Sequence, residues 1–216
     1  MKILVFAPHN DDEVLGVGGT IAKYAEEGHD VYICEVTSGK DQKRLTNIKN
    51  EALSAHKVLG VKETFFLELP VVGLADIPTK ELNTAVHNLV QKVQPDIAFI
   101  PHKGDMHIDH KMVAESAMVA LRPVNSPQLK AIYAYETLSE TEWNIPSADN
   151  IFVPNVWSDI TNTIDKKLES MKCYKSQLFE FPHPRSLEAI DSLSKLRGST
   201  ICVENAESFM LIRSII

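Results

Sequence analysis

Buried-strand patterns and amphipathic helix patterns alternate four times over roughly the first 130 residues, which is the signature of successive βαβ units. Ile3-Leu4-Val5-Phe6-Ala7 is a short apolar run, and residues 30–37, 63–69, 96–101 and 130–135 read as further strands. Short strands without regular polar alternation suit a parallel sheet covered on both faces. Between them, residues 14–27, 45–59, 79–93 and 107–121 carry helical periodicity. The first two helices close at Gly28 and Gly60, and the others stop before Pro95 and Pro123. The expected fold is therefore α/β, a Rossmann-like, mostly parallel sheet with helices on both faces. The second half is less regular: a strand at 152–156, a helix at 159–174, a proline-bearing loop at 179–185, a helix at 187–197 and an extended segment at 208–215. With no internal repeat, low-complexity stretch or linker, residues 1–216 read as one domain.

Composition narrows the function. The hydrophobic fraction of 44% and charged fraction of 24% are ordinary globular usage. No apolar run is long enough to span a membrane, and the apolar first residues run into charged ones without a signal-peptide cleavage pattern. A net charge of -7 repels phosphate backbones, so nucleic acid is not an expected partner. Cys34, Cys173 and Cys202 are odd in number and far apart, which fits a reduced cytoplasmic protein better than a disulfide framework.

In an open α/β sheet, ligands bind beyond the carboxyl ends of the strands. The loops at residues 8–13, 37–43 and 101–109 emerge there, on one side of the expected sheet. The first, Pro8-His9-Asn10-Asp11-Asp12-Glu13, gathers three acidic groups that repel one another unless something positive neutralises them. A helix N-terminus does part of that, and capping by Asp11 or Asp12 is the plain reading of this loop alone. The loop after the fourth strand adds His102, Asp105, His107, Asp109 and His110. If strands one and four are neighbours at the switch point of the sheet, His9 and Asp12 face His107 and His110 across one crevice. Two histidines and a carboxylate with an open position for water make a catalytic zinc site. Spacing leaves open which of His107 and His110 is the ligand. A carboxylate beside the metal can take a proton from the metal-bound water, and a histidine held by an aspartate can serve the opposite end of the reaction, a role for which His107 and Asp109 are suitable types at suitable spacing.

Residues 8–13 resemble the (P/A)-H-P-D-D-E signature of the LmbE-like (PIG-L) de-N-acetylases, and His107-Ile108-Asp109-His110 resembles their second signature, H-x-D-H. Thr37-Ser38-Gly39, Leu59-Gly60-Val61 and Tyr174-Lys175-Ser176-Gln177 are weaker echoes, so the likeness touches most of the chain. The resemblance implies a Rossmann-like fold and zinc-dependent removal of an acetyl group from an N-acetylglucosamine-type conjugate. It implies that His9, Asp12 and His110 ligate the metal and that Asp11 is the general base. His107, oriented by Asp109, then stabilises the oxyanion or protonates the leaving amine. It also implies a homo-oligomer, a trimer or hexamer. Iron, cobalt or nickel would suit the same ligands. Asn10 stands where the family has proline and places an amide near the metal. The family's arginine early in the second helix has no clear counterpart, and Arg44 or Lys49 is the expected substitute as a substrate contact.

Other readings fit less well. Gly16-Val17-Gly18-Gly19-Thr20-Ile21 lacks the third glycine of a dinucleotide fingerprint, and its small residues instead let the helix lie close to the sheet. No G-x-S-x-G or P-loop occurs, and a glycosidase built on Asp11 and Asp12 gives the histidines no task. An amidohydrolase acting on a non-sugar N-acyl substrate and a non-catalytic metal-binding module are the alternatives. Retention of Asp11, His107 and Asp109 favours an enzyme. His29, His56 and His87 read as surface or packing residues, and Trp143 and Trp157 as core. Pro182-His183-Pro184-Arg185 reads as a rigid surface loop.

Overall fold

Side chains on successive strand residues point to opposite faces, so an unbroken apolar strand needs cover on both. The structure, a computed structural model, describes residues 1–39 and 42–216, with the side chains of residues 42–44 outside the description. In β1 (Lys2–Ala7), Leu4 and Phe6 pack beneath α3 (Thr79–Val93) and α4 (Ile108–Ala120). Ile3 and Val5 face the other way, toward α1 (Asp12–Glu26), α2 (Gln42–Leu59), α5 (Ile164–Cys173) and α6 (Leu187–Ser199). The two resulting cores sandwich the sheet.

The remaining strands are β2 (Asp30–Ser38), β3 (Glu63–Pro70), β4 (Ile97–Pro101), β5 (Ala131–Tyr135), β6 (Val156–Asp159) and β7 (Ala206–Ser214). They join β1 in one sheet of order β3-β2-β1-β4-β5-β7-β6. The first five in that order run parallel, and β7 pairs antiparallel with both β5 and β6. The chain winds outward from β1 to β3, then returns to place β4 on the other side of β1, with Ile3 opposite Ile97 and Val5 opposite Phe99. That reversal opens a crevice above the carboxyl ends of β1 and β4. No described helix is long and apolar enough to cross a membrane.

Two elements of the second half differ from expectation. The strand expected at 152–156 starts only at Val156, because Pro154 has no N–H to give to a ladder. The helix expected from 159 starts at Ile164. Asp159 Oδ1 accepts both the N–H and the hydroxyl of Thr161, and this closes a turn in place of the first helical turn.

The glycines of α1 act as spacers. A Cβ on Gly19 would lie 2.7 Å from Ile160 Cδ1, and one on Gly16 would lie 2.2 Å from the Tyr135 ring. This close approach admits a buried ion pair beside the helix. Lys167 Nζ donates to Leu15 O at 2.8 Å and to Glu207 Oε1 at 2.6 Å. Glu207 in turn accepts the N–H groups of Gly19 and Thr20. Removing one partner of a buried pair strands the other charge. Lys167→Met is therefore expected to destabilise the protein by about 3 kcal/mol in urea unfolding, whereas a surface pair such as Lys166–Glu26 should contribute under about 1 kcal/mol.

Candidate metal centre

The loop between β1 and α1 is shaped by its own side chains. Asp11 occupies the N-cap position of α1, yet its carboxylate makes no capping bond. Asp12 Oδ2 instead accepts the His9 N–H at 2.8 Å, and Glu13 Oε2 accepts the Asp11 N–H at 3.2 Å. Asp11 has φ 139°, a backbone conformation that a non-glycine residue keeps only when its surroundings hold it. Capping therefore does not account for the acidic cluster.

Across the crevice, His107 is the N-cap of α4, and its Nδ1 accepts the Asp109 N–H at 3.1 Å. His110 sits one turn on, fully buried. Three donor atoms converge: Asp12 Oδ2 lies 3.3 Å from His9 Nδ1 and 3.1 Å from His110 Nε2, and those two nitrogens are 3.3 Å apart. Tetrahedral coordination with bonds of about 2.0–2.1 Å places neighbouring donors about 3.3–3.4 Å from one another, so the three atoms already form one face of such a site. His9, Asp12 and His110 thus fit a metal on geometry and donor chemistry. Asp12 Oδ1 is buried with no hydrogen-bond partner, which adds uncompensated negative character there. His9 also belongs to a second triad with His107 and Asp109, and a third buried triad joins Glu13, Glu35 and His56.

The opposite nitrogen of each converging histidine is held by a carboxylate. His110 Nδ1 meets Asp105 Oδ2 at 2.8 Å, and Thr141 Oγ1 donates to the other Asp105 oxygen at 2.7 Å. His9 Nε2 meets Asp109 Oδ2 at 3.2 Å, and that oxygen also accepts the Val72 N–H at 2.8 Å. Such partners fix the ring orientation and raise the basicity of the nitrogen on the other side of the ring, the one at the point of convergence. Asp109 Oδ2 is 3.8 Å from His107 Nδ1, so the hydrogen bond between these residues runs through the Asp109 backbone N–H.

Charges reinforce the geometry. Burial opposes the charged forms of His9 and His110, but the carboxylates around them prevail and raise the two imidazoles to about 9 and about 10. Burial alone would lift Asp12, yet the charge and hydrogen bond of His110, with those of His9, hold it well below its ordinary value. Burial pushes Asp11 up to about 8, an effect the Arg185 guanidinium only partly offsets. His107 is lowered, first by burial and then by the charge of His9.

The crevice has a volume of about 470 Å³ and is lined by His9, Asn10, Asp11, His107, Gln177 and Arg185 among others. Asn10 Nδ2 is buried there without a partner. Arg44 lies outside the described residues as far as its side chain is concerned. Lys49 pairs with Glu68 and does not line the crevice.

Several residues read as ordinary from the sequence are not. Arg185, expected in a plain surface loop, donates from Nη1 to Asp11 Oδ2 at 3.0 Å. His56, expected on the surface or in packing, lies 3.1 Å from Glu13 Oε1 and 3.4 Å from Glu35 Oε1. Tyr174 Oη donates to the same Glu13 oxygen at 2.6 Å, which ties the late Tyr-Lys-Ser-Gln echo to the first loop. Trp143, expected in the core, is exposed beside His183. Only the spacing of Tyr174-Lys175-Ser176-Gln177 offered any sequence signal for these contacts.

Residues 4–121 match the family model described as PIG-L: GlcNAc-PI de-N-acetylase. The diacetylchitobiose deacetylase of Thermococcus kodakarensis is 26% identical over 195 residues, covering 83% of this chain and 71% of that protein. The 4-oxalmesaconate hydratase of Pseudomonas putida is 24% identical over 203 residues, covering 81% of this chain and 73% of its own. A conserved protein of Thermus thermophilus has a solved structure that superposes with a TM-score of 0.80 at 26% identity, covering 99% of this chain and 96% of that one. From the hydrogen bond that holds His110, Asp105→Asn is expected to weaken divalent-metal binding by about 10- to 100-fold, read by competition with a metal-sensitive dye.

Proposed function

The chain belongs to the PIG-L family of GlcNAc-PI de-N-acetylases, and on that premise we propose that it is a zinc-dependent hydrolase removing the acetyl group from an N-acetylglucosamine-type sugar conjugate. The observation that carries this reading is the convergence of His9 Nδ1, Asp12 Oδ2 and His110 Nε2 beside a buried Asp11 oxygen that has no partner. Residues 1–216 act as one catalytic domain in this reading.

A cation held by His9, Asp12 and His110 supplies a Lewis acid for the acetyl carbonyl and an acidified water. The rest falls to the chain. Asp11, lifted toward neutrality by burial, takes the proton of the water as it attacks the carbonyl carbon. His107 Nδ1 is occupied by the Asp109 N–H, so the neutral ring carries its proton on Nε2 and donates it toward the developing oxyanion. The lowered proton affinity of His107 keeps the ring neutral in that role. Asp11 then returns its proton to the leaving nitrogen, and the products are acetate and a free amine. Asn10 offers its unpartnered Nδ2 to a substrate oxygen.

A second reading has one observation behind it, the likeness to a hydratase. In that reaction the hydroxyl of the water would add to one carbon of a double bond and Asp11 would pass the water's proton to the other, and a substrate panel separates the two reactions. The protein is expected to release acetate from N,N′-diacetylchitobiose or another N-acetylglucosamine conjugate, to lose activity on chelation and to regain it with zinc. Asp11→Asn should keep its metal and lose about 10²- to 10⁴-fold in kcat, whereas His110→Ala should lose the metal itself. Failure of every acetamido sugar, with hydration of 4-oxalmesaconate, would reverse the choice.

A further inference from the structure

The two carboxylate oxygens of Asp11 have unlike surroundings. Oδ2 accepts from Arg185 Nη1 at 3.0 Å, while Oδ1 is buried and meets no hydrogen-bond partner. The terminal torsion of an aspartate is broad and nearly two-fold, so a carboxylate without a fixed partner exchanges its oxygens freely. Arg185 is not free to follow such motion. Its Nε donates to Ser139 Oγ at 2.8 Å, Nη1 also reaches Gln177 Oε1 at 3.4 Å, and Nη2 reaches Glu140 Oε1 at 3.4 Å. Its backbone is pinned as well, by N–H donation to His183 Nδ1 and by acceptance from the Phe179 N–H. The planar fork is thus placed by other residues before it touches Asp11.

We propose that Arg185 is a positioning residue for the general base: by occupying Asp11 Oδ2 it reserves Oδ1 for the attacking water. This rests on the reading of Asp11 as the base. Arg185 lies well beyond residues 4–121, the stretch that matches the family model, so the device belongs to the late part of this chain. Glu13 completes the clamp from the other side by accepting the Asp11 N–H. Side chain and backbone of the base are then held by two separate elements, as a reaction sensitive to displacements of about 1 Å requires.

The experiment compares wild type, Arg185→Ala and Arg185→Lys, all metal-loaded, in the diacetylchitobiose assay, alongside crystal structures of the wild type and both variants. Arg185→Ala is expected to lose about 100-fold in kcat with KM and metal content changed less than about twofold. Guanidinium chloride, at concentrations the wild type tolerates, should restore part of that loss. Arg185→Lys should be intermediate, because one ammonium cannot span Asp11, Ser139 and Gln177 together. In the alanine variant the Asp11 carboxylate should leave its wild-type orientation. Wild-type turnover in Arg185→Ala, a loss that guanidinium does not relieve, or an unmoved Asp11 carboxylate overturns the proposal. Should Arg185→Ala fail to fold, turnover and Asp11 orientation in Arg185→Lys decide it in the same way. An inactive wild type instead overturns the functional reading, and the Asp11 orientation alone then decides the role of Arg185.

Discussion

Parallel pairing of β1 with β4, Ile3 against Ile97 and Val5 against Phe99, sets two strand ends side by side. The loop leaving β1 and the loop leaving β4 are about 90 residues apart in the chain, and only this ladder makes them neighbours. A ladder formed elsewhere in the sheet would leave His9 and Asp12 on one loop and His110 on another, with no shared centre. The pairing is itself a product of burial. Leu4 and Phe6 fill one core, Ile3 and Val5 the other, and the central place in the sheet is the one that covers both faces.

Around that junction the protein buries an unusual density of charge. Asp11, Asp12, Glu13, Glu35, Asp105, Asp109 and His110 are all buried. Unpaired, each would cost several kcal/mol. The structure distributes partners instead: His9 lies between Asp12 and Asp109, His110 between Asp12 and Asp105, Glu13 takes His56 and Tyr174, and Asp11 takes Arg185. Among the described residues, several carboxylate oxygens stay without a hydrogen-bond partner, Oδ1 of Asp11, Asp12 and Asp109 among them, and near them Asn10 Nδ2 is unpartnered as well. These are the atoms left over for a cation, a water or a substrate. The same low-dielectric surroundings that make the charges costly are what raise Asp11 toward the range where a carboxylate can both take and return a proton.

Periodicity made most of the fold legible. The helix at Thr79–Val93 and the strands of the first half fall where apolar spacing and glycine or proline stops place them. The misses have local causes: Pro154 cannot feed a ladder, and Asp159 closes a turn where a helix was expected. At the site, the residues visible in the sequence are those packed into two short motifs, because a strand end followed by a helix start forces their side chains together. Arg185, His56 and Tyr174 reach the same region by folding. No local spacing marks an arginine that follows Pro182 and Pro184 as the partner of an aspartate near the N-terminus, and a histidine in mid-helix looks alike whether it faces water or a buried glutamate.

The amino-acid sequence alone determined the α/β class, the strand ends that carry chemistry and the residue types gathered there, since each follows from interactions among residues near one another in the chain. The tertiary structure alone decided which nitrogen of each histidine faces inward, which oxygen of Asp11 is left unpartnered, and that a residue more than 170 positions away holds the other one. Those outcomes depend on distances of about 3 Å between atoms remote in sequence, and such distances exist only once both cores have closed on the sheet.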